Sequence, residues 1–209
     1  MGEVLKIEGN DASTAKVSQL KKYYIKGQVV DAMGTNDIEM ARDGKNIFVK
    51  MKMTNKDVGV ILKGGVVGSI NILDYNAKKY ISISKFLMDI AGMTADDFLA
   101  DVDTDISIPK FDNFDGLNSA VVLHRGEVVT GYKLTHENGT FEQYFFKGNS
   151  QIPCCVEYFT AEGELDNAFI IEKVDENTKS YFNVPSGFKE VIFSLTNKEF
   201  LDFVESLGM

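Results

Sequence analysis

Asp74-Tyr75-Asn76-Ala77-Lys78-Lys79-Tyr80 returns about 100 residues later as Asp175-Glu176-Asn177-Thr178-Lys179-Ser180-Tyr181, with acid, asparagine, lysine and tyrosine at matched offsets. Each stretch connects runs with strand-like alternation. Two earlier turn signals recur in the same order, Asp43-Gly44 answering to Asn138-Gly139 and Gly64-Gly65 to Glu162-Gly163. Ordered self-similarity at one spacing marks a duplicated supersecondary unit. The expectation is an α+β fold: a curved antiparallel sheet, an unclosed β-barrel of two pseudo-repeated halves, with helices on its concave face. The halves run over about residues 23–83 and 119–184 of a single domain spanning 1–209.

Outward from these turns the strands read as hairpins. Ile38–Arg42 and Ile47–Met53 flank Asp43-Gly44-Lys45-Asn46, a strong turn signal. In the second of these, Ile47, Val49, Met51 and Met53 alternate with Phe48, Lys50 and Lys52. Two lysines on one face predict that this face meets water and that the methionine face looks inward. Val58–Lys63 and Val66–Leu73 form the next hairpin, and Tyr80–Ile83 closes the first half. The second half repeats the scheme with 128–136, 141–147, 154–160 and 165–174, ending at Tyr181–Val184.

Three helical segments punctuate this pattern. The first covers about residues 11–23. A helical connector spans 85–105, with Phe86, Leu87 and Ile90 on its first apolar side. The last, over 196–207, starts at Thr196-Asn197-Lys198-Glu199, which reads as a capping box, and carries Phe200, Phe203, Val204 and Leu207 on one stripe. Helices too few to cover both faces of a sheet collect on one.

The chain has 209 residues, 44% of them hydrophobic, with a formal net charge of −9. That sign opposes a phosphate-binding surface, so nucleic acid is excluded and anionic headgroups gain no support. No apolar run is long enough to span a bilayer. The start Met1-Gly2-Glu3-Val4 has neither a basic nor an apolar leader region, so no signal peptide is expected within it. Cys154 and Cys155 are adjacent and would point to opposite strand faces, which predicts free thiols and a poor zinc site.

Chemistry is hard to find. No G-x-S-x-G elbow occurs, and His124 and His136 lack a nearby cysteine or carboxylate pattern in sequence. Asp101, Asp103, Asp105 and Asp112 fall on positions 1, 3, 5 and 12 of a calcium loop. Ile106 stands where that loop needs glycine, so a solvated acidic connector is the expectation. Asn138-Gly139-Thr140 matches a glycosylation acceptor, but a hairpin turn accounts for it. No enzyme activity, cofactor or metal is expected.

The remaining candidate is the apolar interior. Ile25, Val29, Met40, Val49, Met51, Met53, Ile70, Ile72, Tyr132 and Phe145 are assigned to one inward face. Two readings stay open: an ordinary core sealed by Phe86, Phe98 and Phe203, or a lined cavity. Adaptable methionines suit surfaces that accept varied apolar ligands.

Tyr23-Tyr24-Ile25-Lys26-Gly27, Ile38–Gly44 with Phe48-Val49-Lys50-Met51, and Tyr181–Lys189 resemble a group of bacterial secreted lipoproteins. That group shares the fold of the periplasmic lipoprotein carriers, the LolA/LolB-like and mycobacterial LppX-like proteins. The resemblance spans most of residues 12–190. It implies an unclosed antiparallel barrel plugged by helices, an extracytoplasmic setting in the cell envelope, and a lipid or lipoprotein acyl chain as ligand. The group's membrane anchor, a cysteine at the mature N-terminus, has no counterpart here, so membrane association is not expected of this chain, and a monomer is. The alternative is an envelope interaction or structural module with a filled core and no small ligand.

Overall fold

The computed structural model describes residues 22–52, 56–64, 68–90, 119–150, 152–175, 177–178, 180–194 and 196–207. The expected helix over 11–23, the connector beyond Ile90, the Asp101–Asp112 pattern, Met53 and Phe98 lie outside these residues, apart from the helix's last two positions, Lys22 and Tyr23, which are strand.

Among the described residues twelve strands join in one hydrogen-bonded order. They are β1 (Lys22–Asp31), β2 (Gly34–Asp43), β3 (Asn46–Lys52), β4 (Asp57–Lys63), β5 (Ser69–Asp74), β6 (Lys79–Ser84), β7 (Ser119–His124), β8 (Glu127–Thr135), β9 (Phe141–Phe146), β10 (Cys155–Phe159), β11 (Leu165–Asp175) and β12 (Lys189–Glu190). The order is β12-β6-β5-β4-β3-β2-β1-β11-β10-β9-β8-β7, so the sheet is unclosed, with β12 and β7 as its ends among the described residues. Consecutive strands pair antiparallel from β2 through β6 and from β7 through β11, as the hairpin signals predict. The short β12 runs parallel to β6. Two helices are described, α1 (Lys85–Ile90) and α2 (Lys198–Leu207).

The repeated motif has two fates. After β5, Asp74 Oδ1 accepts from the Ala77 amide at 2.8 Å, Lys78 takes φ 52°, and the chain returns as β6. After β11, Asp175 Oδ1 accepts from the Asn177 amide at 2.9 Å. Tyr181–Val184 then stays irregular, where a strand is expected. Its aromatic residues are taken up by packing: Tyr181 stacks on Tyr24 with centroids 4.3 Å apart, and Phe182 is buried with Phe48 and Leu73. The Tyr181 amide closes a turn on the Thr178 carbonyl at 3.1 Å, so the backbone leaves the extended form here while its aromatic side chains pack on the sheet.

The chain divides into two compact units whose limits differ from the repeated halves. One contains residues 22–26, 36–90 and 174–207. In it β2–β6 present two apolar faces. Ala41, Phe48, Ile61 and Leu73 face the 181–188 segment. Leu62 and Ile70 face Met88 of α1, while Ile72 and Ile81 face Phe200, Phe203 and Val204 of α2. The lysine face of β3 is therefore covered rather than wet. Lys50 is held there between Glu39 (3.9 Å) and Asp57 (3.8 Å), with its ammonium 4.5 Å from the Tyr75 ring centre. Charge neutralisation and the aromatic face let the lysine stem lie along apolar surface. Lys52, at the strand end, is exposed.

The other unit contains residues 27–35 and the described part of 109–173. Val129, Phe145 and Cys155 are buried together, with Val122, Cys154 and Ile170 against them. Tyr132, Tyr144, Val156 and Phe169 are also buried, on the opposite face by strand register.

Candidate functional site

Strand register decides which of the expected interior residues can meet. Met40 pairs with Val49, Val49 with Val60 and Val60 with Ile72, while Met51 and Ile70 fall on the same face by alternation. Met40, Val49 and Ile70 are buried, whereas Met51 and Ile72 are half-buried. This face exists, and α1 and α2 lie on part of it. Ile25 is fully buried in β1, and Val29 is half-buried farther along that strand.

Tyr132 and Phe145 do not share a face. Phe145 pairs with Gly131, the neighbour of Tyr132, and successive side chains in a strand alternate. Tyr132 instead lines up with Tyr144 and Val156. A single pocket lined by both residues is therefore ruled out by register.

A groove of about 400 Å³ lies between the 74–79 turn and α2, lined by Asp74, Lys79, Glu199, Asp202, Phe203 and Ser206 among others. Lys79 and Lys189 both reach Glu199, at 3.1 and 3.3 Å, and hold its carboxyl below the usual range. These three charges satisfy one another, and Ala77 and Phe203 supply the apolar part of a groove whose other lining residues are polar or charged.

A second arrangement was not legible in the sequence. Cys155 and Glu157, two positions apart, share one face of β10, and both are buried. His124 ends β7, and its ring stacks flat on Phe145, 3.7 Å between centroids and 7° between planes. This stacking carries the imidazole over β9 toward β10. His124 Nε2 stands 3.4 Å from Glu157 Oε1, and Arg125 Nη2 is 3.5 Å from the same oxygen. His124, Cys155 and Glu157 bring one ligand atom each to within 4.8 Å of one another. Gln143, fully buried, is the register partner of Glu157.

Burial dominates the electrostatics. It pushes the Glu157 carboxyl up, against the opposing pull of Arg125, and the Cys155 thiol up to about 12. It also lowers His124, helped by the Arg125 charge. The cluster thus favours neutral imidazole and protonated thiol. His124 Nε2 and Glu157 Oε2 have no hydrogen-bond partner among the described residues. An unmade bond on a buried polar atom costs about 1–3 kcal/mol. Cys154 donates its thiol to the Phe145 carbonyl at 3.2 Å, and both cysteines are free. The available sequence signal was the Cys155-x-Glu157 spacing; the His124 contribution required the β7–β10 order.

The hairpin reading of Asn138-Gly139-Thr140 holds. Gly139 takes φ 87°, and Asn138 Oδ1 accepts from the Thr140 amide and hydroxyl at 3.1 and 2.7 Å.

No protein-family model and no curated protein matches the chain. Among solved structures, it is similar to an uncharacterised conserved protein from Thermus thermophilus at 5% identity and TM-score 0.47, over 83% of this chain and 91% of that one. It is also similar to a chain in the MucA/MucB complex of Pseudomonas aeruginosa, at 9% identity and TM-score 0.36, over 81% of this chain and 58% of that one. At this identity and overlap they assign neither family nor role. No helix among the described residues is long and apolar enough to cross a membrane.

Proposed function

We propose that this is a non-enzymatic, extracytoplasmic interaction module that pairs β7 with an extended segment of a protein partner. One observation carries the reading. Val121 and Leu123 of β7 are 74% and 72% exposed, and Val128, the register partner of Leu123, is 70% exposed. Among the described residues β7 ends the strand order, so its outer row of N–H and C=O groups is the natural place for another strand. The net charge of −9 favours a basic segment over a second copy of this chain.

The competing reading, an acyl chain held against the sheet, draws on the apolar face of Met40, Val49, Met51, Ile70 and Ile72 and on the resemblance to lipoprotein carriers. Met88, Phe200 and Phe203 already occupy part of that face, so a chain there has to displace α1 or α2. One experiment separates the two. Delipidated protein is titrated with a fluorescent fatty acid and, separately, with labelled extended peptides alternating valine with lysine. Saturable peptide binding that Leu123→Lys abolishes, with no saturable fatty-acid binding, is expected. Fatty-acid binding lost in a folded Met51→Arg variant would establish the acyl-chain reading instead.

A further inference from the structure

We propose that His124, Cys155 and Glu157 form a binding site for a divalent transition metal of the zinc class. The three residues supply one nitrogen, one sulfur and one oxygen, a donor set that suits a borderline-soft ion and fits neither calcium nor magnesium. Their ligand atoms lie within 4.8 Å of one another. A tetrahedral ion with bonds of about 2.0–2.3 Å sets its ligands about 3.3–3.8 Å apart, so modest side-chain rotation closes the site.

Two further observations point the same way. Glu157 is 1% exposed, and its Oε2 has no hydrogen-bond partner among the described residues. A carboxylate oxygen so placed is a vacant donor. His124 Nε2 is in the same condition, and the Phe145 ring fixes the plane in which it points. Arg125 approaches the other carboxylate oxygen, Oε1, at 3.5 Å. It opposes a cation by its charge but holds the carboxylate in place, which makes it a positioning residue.

Binding replaces the thiol proton with the metal, and that proton leaves to solvent. A thiolate and a carboxylate then balance the divalent charge, while neutral imidazole adds none. Three protein ligands leave a fourth position for water or for a donor from a partner. Cys154, whose thiol is directed to the Phe145 carbonyl, takes no part.

The test uses the full chain, reduced and stripped of metal, with cobalt(II) as probe and zinc(II) as competitor. One equivalent of cobalt should give an intense near-ultraviolet thiolate-to-metal band and visible bands of four-coordinate strength, and zinc should abolish both. Zinc should also raise the melting temperature of the parent protein. Cys155→Ser should remove the near-ultraviolet band. His124→Gln should weaken binding by at least about 100-fold, since even outer partners of a metal site cost about 10–100-fold. Cys154→Ser and His136→Gln should change neither. Absence of the near-ultraviolet band in the parent protein would overturn the site without reference to any variant. So would full-strength binding by a folded His124→Gln protein, or a thiolate band that follows Cys154.

Discussion

Gly27 sits in β1 where a side chain has no room: a Cβ there would lie 2.2 Å from the Ile170 carbonyl oxygen and 3.1 Å from its carbon. Both are backbone atoms of a paired strand, so neither can step aside cheaply. Gly27→Ala should cost at least about 2 kcal/mol in urea unfolding. Gly44, by contrast, has open space around its Cβ direction but a φ of 58°. Gly44→Ala should cost about 1–2 kcal/mol, from backbone strain alone. Tyr75 gives the pH test at this scale. Burial, then Glu39, then Asp57 push its phenol up to about 12 from an ordinary value of 10.0. Between those values the unfolded chain gives up a proton that the folded chain keeps, so stability falls as pH rises. Urea melts from about pH 9 to 12 should fall less steeply for Tyr75→Phe than for the parent. The turn role of Gly44 was legible in the sequence because Asp-Gly between alternating runs has a local cause. The roles of Gly27 and Tyr75 were not, because Ile170 and Glu39 reach them only through the fold.

Helix α2 shows what a capping pattern does and does not determine. Thr196-Asn197-Lys198-Glu199 reads as a box opened by threonine, yet the helix starts at Lys198 and Asn197 is the cap, its Oδ1 accepting from the Glu199 amide at 2.9 Å. Glu199 turns away to Lys79 and Lys189 instead of returning to the cap. Two external ammonium groups outcompete one backbone N–H for a carboxylate. Asn197→Ala should therefore cost about 1 kcal/mol, and Thr196→Ala close to nothing. The apolar stripe was read correctly where it is described: Phe200 and Phe203 are buried against Ile81 and Val191. Phe203→Ala should cost about 3–5 kcal/mol in thermal or urea unfolding. A loss below about 1 kcal/mol would mean that the helix leaves the sheet easily, and the acyl-chain reading would then regain ground. Hairpins and amphipathic stripes are local periodicities, so they could be read directly. The 181–188 segment has strand-like composition, and only its packing on Phe48 and Tyr24 reveals that it is a cover.

At the scale of the whole molecule, strand order governs what the surface presents. The sequence supports hairpins, and hairpins alone do not say that β11 follows β1 or that β7 is left at an end. That order brings His124 toward Glu157 and leaves Val121 and Leu123 to solvent. An apolar end strand invites pairing with any available strand, including another copy, and proteins restrain such edges with charge. Here the restraint is diffuse, a net charge of −9 rather than a lysine on β7 itself. Diffuse repulsion is screened by salt, with a Debye length of about 30 Å at 0.01 M and about 3 Å at 1 M, while apolar contact is not weakened by it. Sedimentation equilibrium should therefore find a monomer at low ionic strength and a concentration-dependent dimer as salt rises. Leu123→Lys places a charge on the edge, where screening cannot remove the cost of burying it, and should hold the chain monomeric throughout. A dimer that forms equally well in Leu123→Lys, or one that dissolves as salt is added, would place self-association elsewhere and deprive β7 of its role as the pairing edge.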